Sequence, residues 1–224
     1  MKKYPMKVKT TQEIAAVSRR SVLKRMTMAG AGMALLNVAA GNTVVNAHGN
    51  LPQLSPFYLP PQPPLQPGPI GLNIRTWVRS SQTNKQFSCV ETAVAPKQMG
   101  PAPHVHHDLD EIMFVLEGTA TVWMDGKVQE IAAGGWHLRP RQIAHTFWNG
   151  ADKPLRFIDM YFNQNFEDFL EELFHQIIPD MQKQHLSPAD PVIAKRMVEL
   201  DSRFGITTFH EKRQPLIEKY KLNP

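Results

Sequence analysis

Between residues 72 and 162 the sequence is a succession of short apolar runs, each closed by a turn signal. No other feature narrows the fold as much. The runs NIRTWVR, FSCVETAVA, EIMFVLEG, TATVWM, KVQEIAA, WHLRP, AHTFWN and LRFIDMYF hold five to nine residues each. They are rich in β-branched and aromatic residues, which suit a pleated, half-buried surface. Asp125-Gly126 joins two of them with only two residues, the strongest short hairpin signal, and Asn149-Gly150 marks another turn. Runs of this length and spacing predict an all-β domain, an antiparallel barrel or jelly roll over 72–162.

The flanks read differently. Residues 163–224 predict a helical extension. In NFEDFLEELFHQII, Phe166, Phe169, Leu170, Leu173, Phe174 and Ile177 recur at helical spacing, with Asn165 as N-cap and Pro179 just beyond the end. A second helix is expected from Pro191 to about Phe204, capped by Asp190 and ended by Gly205, with Ile193, Met197, Leu200 and Phe204 as its stripe. Both stripes are expected to pack on the outside of the barrel or against a second copy. Residues 48–71 contain eight prolines and predict an extended arm or linker, for which Leu54, Phe57, Tyr58 and Leu65 offer docking side chains.

The net charge of +5 is localised. Residues 1–47 hold eight Lys or Arg and one acid, leaving the remainder with 17 basic and 19 acidic residues. Nucleic-acid binding is therefore not expected, because phosphate contacts need concentrated basic side chains. The segment 1–47 reads as an address. SRRSVLK, with Arg19 and Arg20, resembles a twin-arginine export signal. The weakly apolar run after it and the small residues of Val45–Ala47 predict cleavage after Ala47, a mature chain from His48 and a periplasmic location. The resemblance implies the twin-arginine export machinery as a partner, a route that carries proteins already folded. The single cysteine, Cys89, excludes an intramolecular disulfide and is expected to be a small core residue.

One stretch concentrates metal-binding chemistry. In PHVHHDLDE, residues two apart on a strand point the same way, so His104 and His106 face together and His107 faces oppositely. Glu111 follows across a short acidic bend. A further ligand must come from elsewhere, and His145, after the turn RPRQIA, is the candidate. His107, Asp108 and Asp110 are expected at the rim, and Asn149 as a brace of its turn. His137 is assigned to neither face. Phe114, Trp123, Phe147, Trp148, Met160 and Phe162 are candidate pocket lining, of which alternation turns about half outward.

These residues resemble the two motifs of the cupins. His104, His106, Glu111 and Gly118 match the first motif's H-x-H, glutamate and glycine; Gly134, Pro140, His145 and Asn149 match the second. Two positions depart. Gly100 lies four before His104, where the motif's glycine usually lies six before, and Gln142 stands where a glycine usually follows the proline. The resemblance implies a cupin β-barrel in which His104, His106, Glu111 and His145 hold one divalent metal. Three imidazoles and a carboxylate suit Fe, Mn, Ni, Co, Cu or Zn. It also implies pairing into a homodimer.

Within the cupins, PAPHVHHDLDEIMFVLEGTATVWMDGK with FNQNFEDFLEELF resembles the quercetin-dioxygenase-like single-domain group. That implies a dioxygenase-type oxidoreductase acting on a small aromatic or enolic compound, with Glu111 both binding the metal and accepting a substrate proton. Two other readings stay open: a non-catalytic, metal-dependent small-ligand-binding protein, and an isomerase or lyase acting on a sugar acid. A pocket lined by Arg, Lys and Asn would favour the sugar acid.

Overall fold

The computed structural model describes residues 52–224. The twin-arginine segment and the expected cleavage after Ala47 lie outside them. Ten strands form two five-stranded antiparallel sheets. One sheet contains β1 (Leu72–Val78), β2 (Phe87–Val94), β9 (Leu155–Phe162), β4 (Asp110–Glu117) and β7 (Trp136–Arg139), in that order. The other contains β10 (Ile206–Thr208), β3 (His104–His106), β8 (His145–Trp148), β5 (Thr119–Met124) and β6 (Lys127–Ala132). This is the expected jelly-roll barrel. β5 and β6 turn through Asp125 (φ 48) and Gly126 (φ 77), the positive-φ pair that a two-residue hairpin needs.

Inward-facing positions change character along the barrel. On β9, Leu155 and Phe157 are fully buried at one end, followed by Asp159 and Tyr161. On β4 the same axis runs from Val115 and Met113 to Glu111. One end is thus an apolar plug built from Val94, Met113, Val115, Ala120, Val122, Leu155 and Phe157. The plug contributes hydrophobic stabilisation of about 1.5–3 kcal/mol per large side chain. The other end carries charge.

The C-terminal segment closes the charged end. α1 (Phe166–Glu172) continues through a π-helical turn, Leu173–Ile177, into α2 (Ile178–Lys183). The helix does not stop before Pro179. The Ile178 N–H bonds back to the Leu173 carbonyl, and the wider turn absorbs a proline that lacks its own N–H. α3 (Pro191–Arg203) starts as expected, with the Asp190 carboxylate accepting from the Val192 N–H at 3.0 Å. Gly205 follows at φ 61. β10 and α4 (Arg213–Tyr220) were not legible in the sequence. β10 pairs with β3, so residues beyond 162 also contribute a strand to the barrel. No helix among the described residues is long and apolar enough to cross a membrane.

The Pro-rich arm lies against the barrel through its carbonyls, the only main-chain hydrogen-bonding groups its prolines retain. Asn84 Nδ2 donates to Pro52 O at 2.6 Å, Arg75 Nη1 to Pro63 O at 3.0 Å, and Asn73 Nδ2 to Gln66 O at 3.0 Å. Of its four docking candidates Leu65 is buried, whereas Leu54, Phe57 and Tyr58 are exposed.

Candidate metal centre

His104 and His106 stand at the two ends of the three-residue β3, and the alternation that separates them from His107 holds. His107 is exposed and meets Thr207 Oγ1 at 3.0 Å. His104 pairs directly with His145 of β8. The three imidazole rings gather with centroids 4.6 to 5.5 Å apart. Glu111 reaches them from β4, in the opposite sheet. One donor atom from each of the four lies within 4.8 Å of the others. His106, Glu111 and His145 are buried, and His104 is partly exposed.

The protonation pattern shows that these residues fit a cation. His104 Nδ1 lies 2.9 Å from the Ala102 carbonyl, and His145 Nδ1 lies 2.9 Å from the Ile143 carbonyl. A carbonyl cannot donate, so each Nδ1 carries the hydrogen, which leaves Nε2 as the atom aimed at the cluster and the one able to ligate. His145 Nε2 faces Glu111 Oε2 at 3.2 Å, and His106 Nε2 faces Glu111 Oε1 at 3.0 Å, yet none of these three nitrogen and oxygen groups forms an aligned hydrogen bond through His106 Nε2, His145 Nε2 or Glu111 Oε2. Lone pairs aimed at one another in a buried space repel unless positive charge lies between them. Burial, together with the neighbouring His145 and His106 rings, holds the His104 pKa well below its usual value, which keeps that ring neutral and ready to ligate.

Behind Glu111 lies a buried chain of charge that sequence reasoning missed. Arg139 on β7 is 1% exposed, so its guanidinium relies on buried carboxylates for compensation. Its Nε sits 3.1 Å from Glu111 Oε2, and its Nη2 donates to Asp159 Oδ1. Tyr161 donates its hydroxyl to Asp159 Oδ2 at 3.3 Å. Burial pushes the Glu111 carboxyl up, but Arg139 and His106 outweigh it and hold its pKa well below the carboxylate range. For Asp159 burial wins, with the Glu111 charge adding to it against Arg139, and its pKa rises to about 6. With both carboxylates ionised the three groups carry a net charge of −1 toward the imidazoles, which suits a dication.

The remaining candidates fall into place around this centre. Asn149 is fully buried and braces its turn: its Nδ2 donates to Val94, Ala95 and Lys153 carbonyls, and its Oδ1 accepts from the Ala151 N–H. Asp110 is bound to Arg141 at 2.5 Å at the rim, and Asp108 is exposed. His137 faces inward beside Arg139 but does not line the cavity above the donors. Gln142 adopts the glycine-like φ of 65 at the position of the motif's glycine. Its N–H donates to His106 O at 2.8 Å and its Nε2 to His107 O at 2.6 Å, two bonds that offset the left-handed strain. Gly100, despite its displaced spacing, is required: a Cβ there would lie 2.4 Å from Phe147 O. Cys89 is half-buried on the outer face of β2, and burial pushes its thiol up to about 11, so it is no nucleophile.

Residues 90–161 match the family model described as a cupin domain. The barrel has the cupin fold. No curated protein matches the chain. Among solved structures, this chain is similar to KdgF from Halomonas sp. (17% identity over 44% of this chain and 84% of that one, TM-score 0.39). It is also similar to an uncharacterised double-stranded β-helix protein from Klebsiella pneumoniae (20%, covering 44% and 83%, TM-score 0.39). A third likeness is to a predicted oxalate decarboxylase from Thermotoga maritima (20%, covering 41% and 79%, TM-score 0.38).

Above the four donors opens a cavity of about 510 Å³. Its walls differ from expectation. Of the six lining candidates on the strands, only Phe147 reaches it. Phe114 stacks with the exposed Trp136 at 4.4 Å, and Trp148 packs against Tyr220 at 4.6 Å. Much of the apolar wall comes instead from the helices expected to pack outside: Phe166, Phe169, Leu170, Leu173, Phe174 and Ile177, with Ile193 and Met197 of α3. Phe166 stands edge-on to the His106 ring at 4.9 Å and stacks on Phe169 at 4.8 Å.

Proposed function

We propose that this cupin is a mononuclear metal protein and a dioxygenase-type oxidoreductase acting on a small aromatic or enolic compound. The observation that carries the reading is the pairing of three imidazoles and a carboxylate with a large apolar and aromatic cavity directly above them. Such walls bind a flat apolar molecule and admit O₂. They hold no Lys or Asn among the described residues, and Arg139 is already shared by two acids, which counts against the isomerase or lyase reading of a sugar acid.

His104, His106, Glu111 and His145 would hold the metal, which when bound supplies Lewis acidity toward a phenolic or enolic hydroxyl. The protein's own groups do the rest. Glu111 accepts the hydroxyl proton on its carboxylate. Arg139 keeps that carboxylate aimed at the cluster, and Phe166 excludes water from its cavity side. The Ala102 and Ile143 carbonyls hold His104 and His145 in the ligating tautomer. The sequence of residues 1–47 supports export of the folded protein to the periplasm, with the mature chain starting at His48.

The test is oxygen uptake by protein loaded separately with Fe, Mn, Ni, Co, Cu and Zn, across flavonols, catechols and β-diketones. The expected result is O₂ consumption matched by substrate loss with at least one metal. Binding without turnover would favour a ligand-binding protein, turnover without O₂ a lyase or isomerase, and either would overturn the dioxygenase reading.

A further inference from the structure

One cation in the cavity is left over by the chemistry above. The described residues contain eight arginines. Seven of them pair with a carboxylate: Arg75, Arg79, Arg139, Arg141, Arg156, Arg196 and Arg203. Arg213, the first residue of α4, has no such partner among the described residues, and it lines the same cavity as the metal-binding group. It is partly buried, and its Nη1 donates to the Gly100 carbonyl at 2.6 Å. That carbonyl is held in place, because Gly100 packs against Phe147 with no room for a side chain. The guanidinium is therefore oriented but not neutralised, with donors of its planar fork free to take two oxygens side by side.

The rest of the cavity supports a single anion-binding position. Arg139 is already shared by Glu111 and Asp159. Asp201, the remaining acidic side chain in the wall, accepts from Thr208 Oγ1 at 2.8 Å, and its charged neighbours are His210 and His106. Burial alone lowers the Arg213 pKa, with no acid acting against it. A desolvated charge without a counter-ion destabilises the empty protein, and a ligand anion relieves that cost.

We infer that the cavity takes an apolar molecule carrying a carboxylate, and that Arg213 receives the carboxylate while the helix side chains hold the apolar body. The inference names the ligand class of the site proposed above and rests on that reading of the cavity.

The test compares 4-phenylbutyrate with its primary amide by calorimetric titration of the full chain, metal-free and metal-loaded, alongside metal analysis. Wild-type protein is expected to bind the acid at least about tenfold more tightly than the amide, with or without metal. Arg213→Gln should erase that preference while leaving amide affinity within about twofold. Arg213→Lys should keep part of it. Equal affinities in wild type, or a preference that survives Arg213→Gln, overturn the inference. So does a preference present only with metal, which places the carboxylate on the metal. The acid–amide comparison in wild type decides the matter even if Arg213→Gln does not fold. Metal retention without acid preference removes this inference alone; acid preference without metal retention removes the metal reading alone.

Discussion

At the level of single residues, the site separates groups that aim inward from neighbours of the same chemistry. His106→Ala removes one of four convergent donors and is expected to abolish metal retention after gel filtration, whereas His107→Ala, at an exposed rim position, should retain it. Equal loss in both would sink the alternation argument. Arg139→Met leaves Glu111 and Asp159 buried without their shared cation and is expected to destabilise the protein by about 3–5 kcal/mol in urea titration. The four donors were legible because strand alternation and two spaced motifs select them. Arg139 was not. In WHLRP an arginine before a proline reads as solvent-facing, and its partner Asp159 lies in a different run. Only closure of the sheet, which sets Glu111 opposite Arg139 and Tyr161, brings them together.

At the level of elements, eight of the ten strands were legible to within a residue or two because turn chemistry punctuates them. TATVWM and LRFIDMYF became β5 and β9 without change. The stripes that became α1 with its π-helical turn and α3 were legible as helices, but the surface they cover was not. An amphipathic stripe states that a face is buried and leaves open what buries it. Here the stripe of α1 and the π-helical turn bends over the charged end of the barrel and becomes the wall of a cavity. Phe166 joins the two functions, touching His106, Tyr161 and Phe169. Phe166→Ala is expected to cost about 3–5 kcal/mol in urea titration, as a large side chain deleted from a packed site. It should also weaken binding of apolar ligands more than metal retention, measured on the same preparation.

At the level of the whole molecule, the donors cross-link two sheets, so metal binding and folding are linked. A metal at 100 times its dissociation constant adds about 2.7 kcal/mol, and chelation should lower the melting temperature accordingly. In the metal-free protein, His104 stays neutral when folded but takes a proton when unfolded below its ordinary value of 6.5. Stability therefore falls as pH drops through 6.5, by up to about 1.4 kcal/mol per pH unit. Asp159 acts with the opposite sign. Its folded pKa of about 6 lies above the ordinary 3.8, so the native state binds the extra proton and gains stability as pH falls from about 6 toward 4. Urea midpoints against pH should show His104→Gln flattening the loss below 6.5, and Asp159→Asn steepening it below 6.

The pairing of β10 with β3 also fixes when this site can form. β3 meets β8 through one residue pair, His104 with His145, but meets β10 along its whole length, from Ile206 opposite His106 to Thr208 opposite His104. The strand bearing two of the four donors thus takes most of its pairing from residues about a hundred positions later. Such distant closure is slow to be rewarded. A chain whose downstream strand has not yet been made would hold the imidazoles of β3 unaligned, and a metal would then be captured late in maturation.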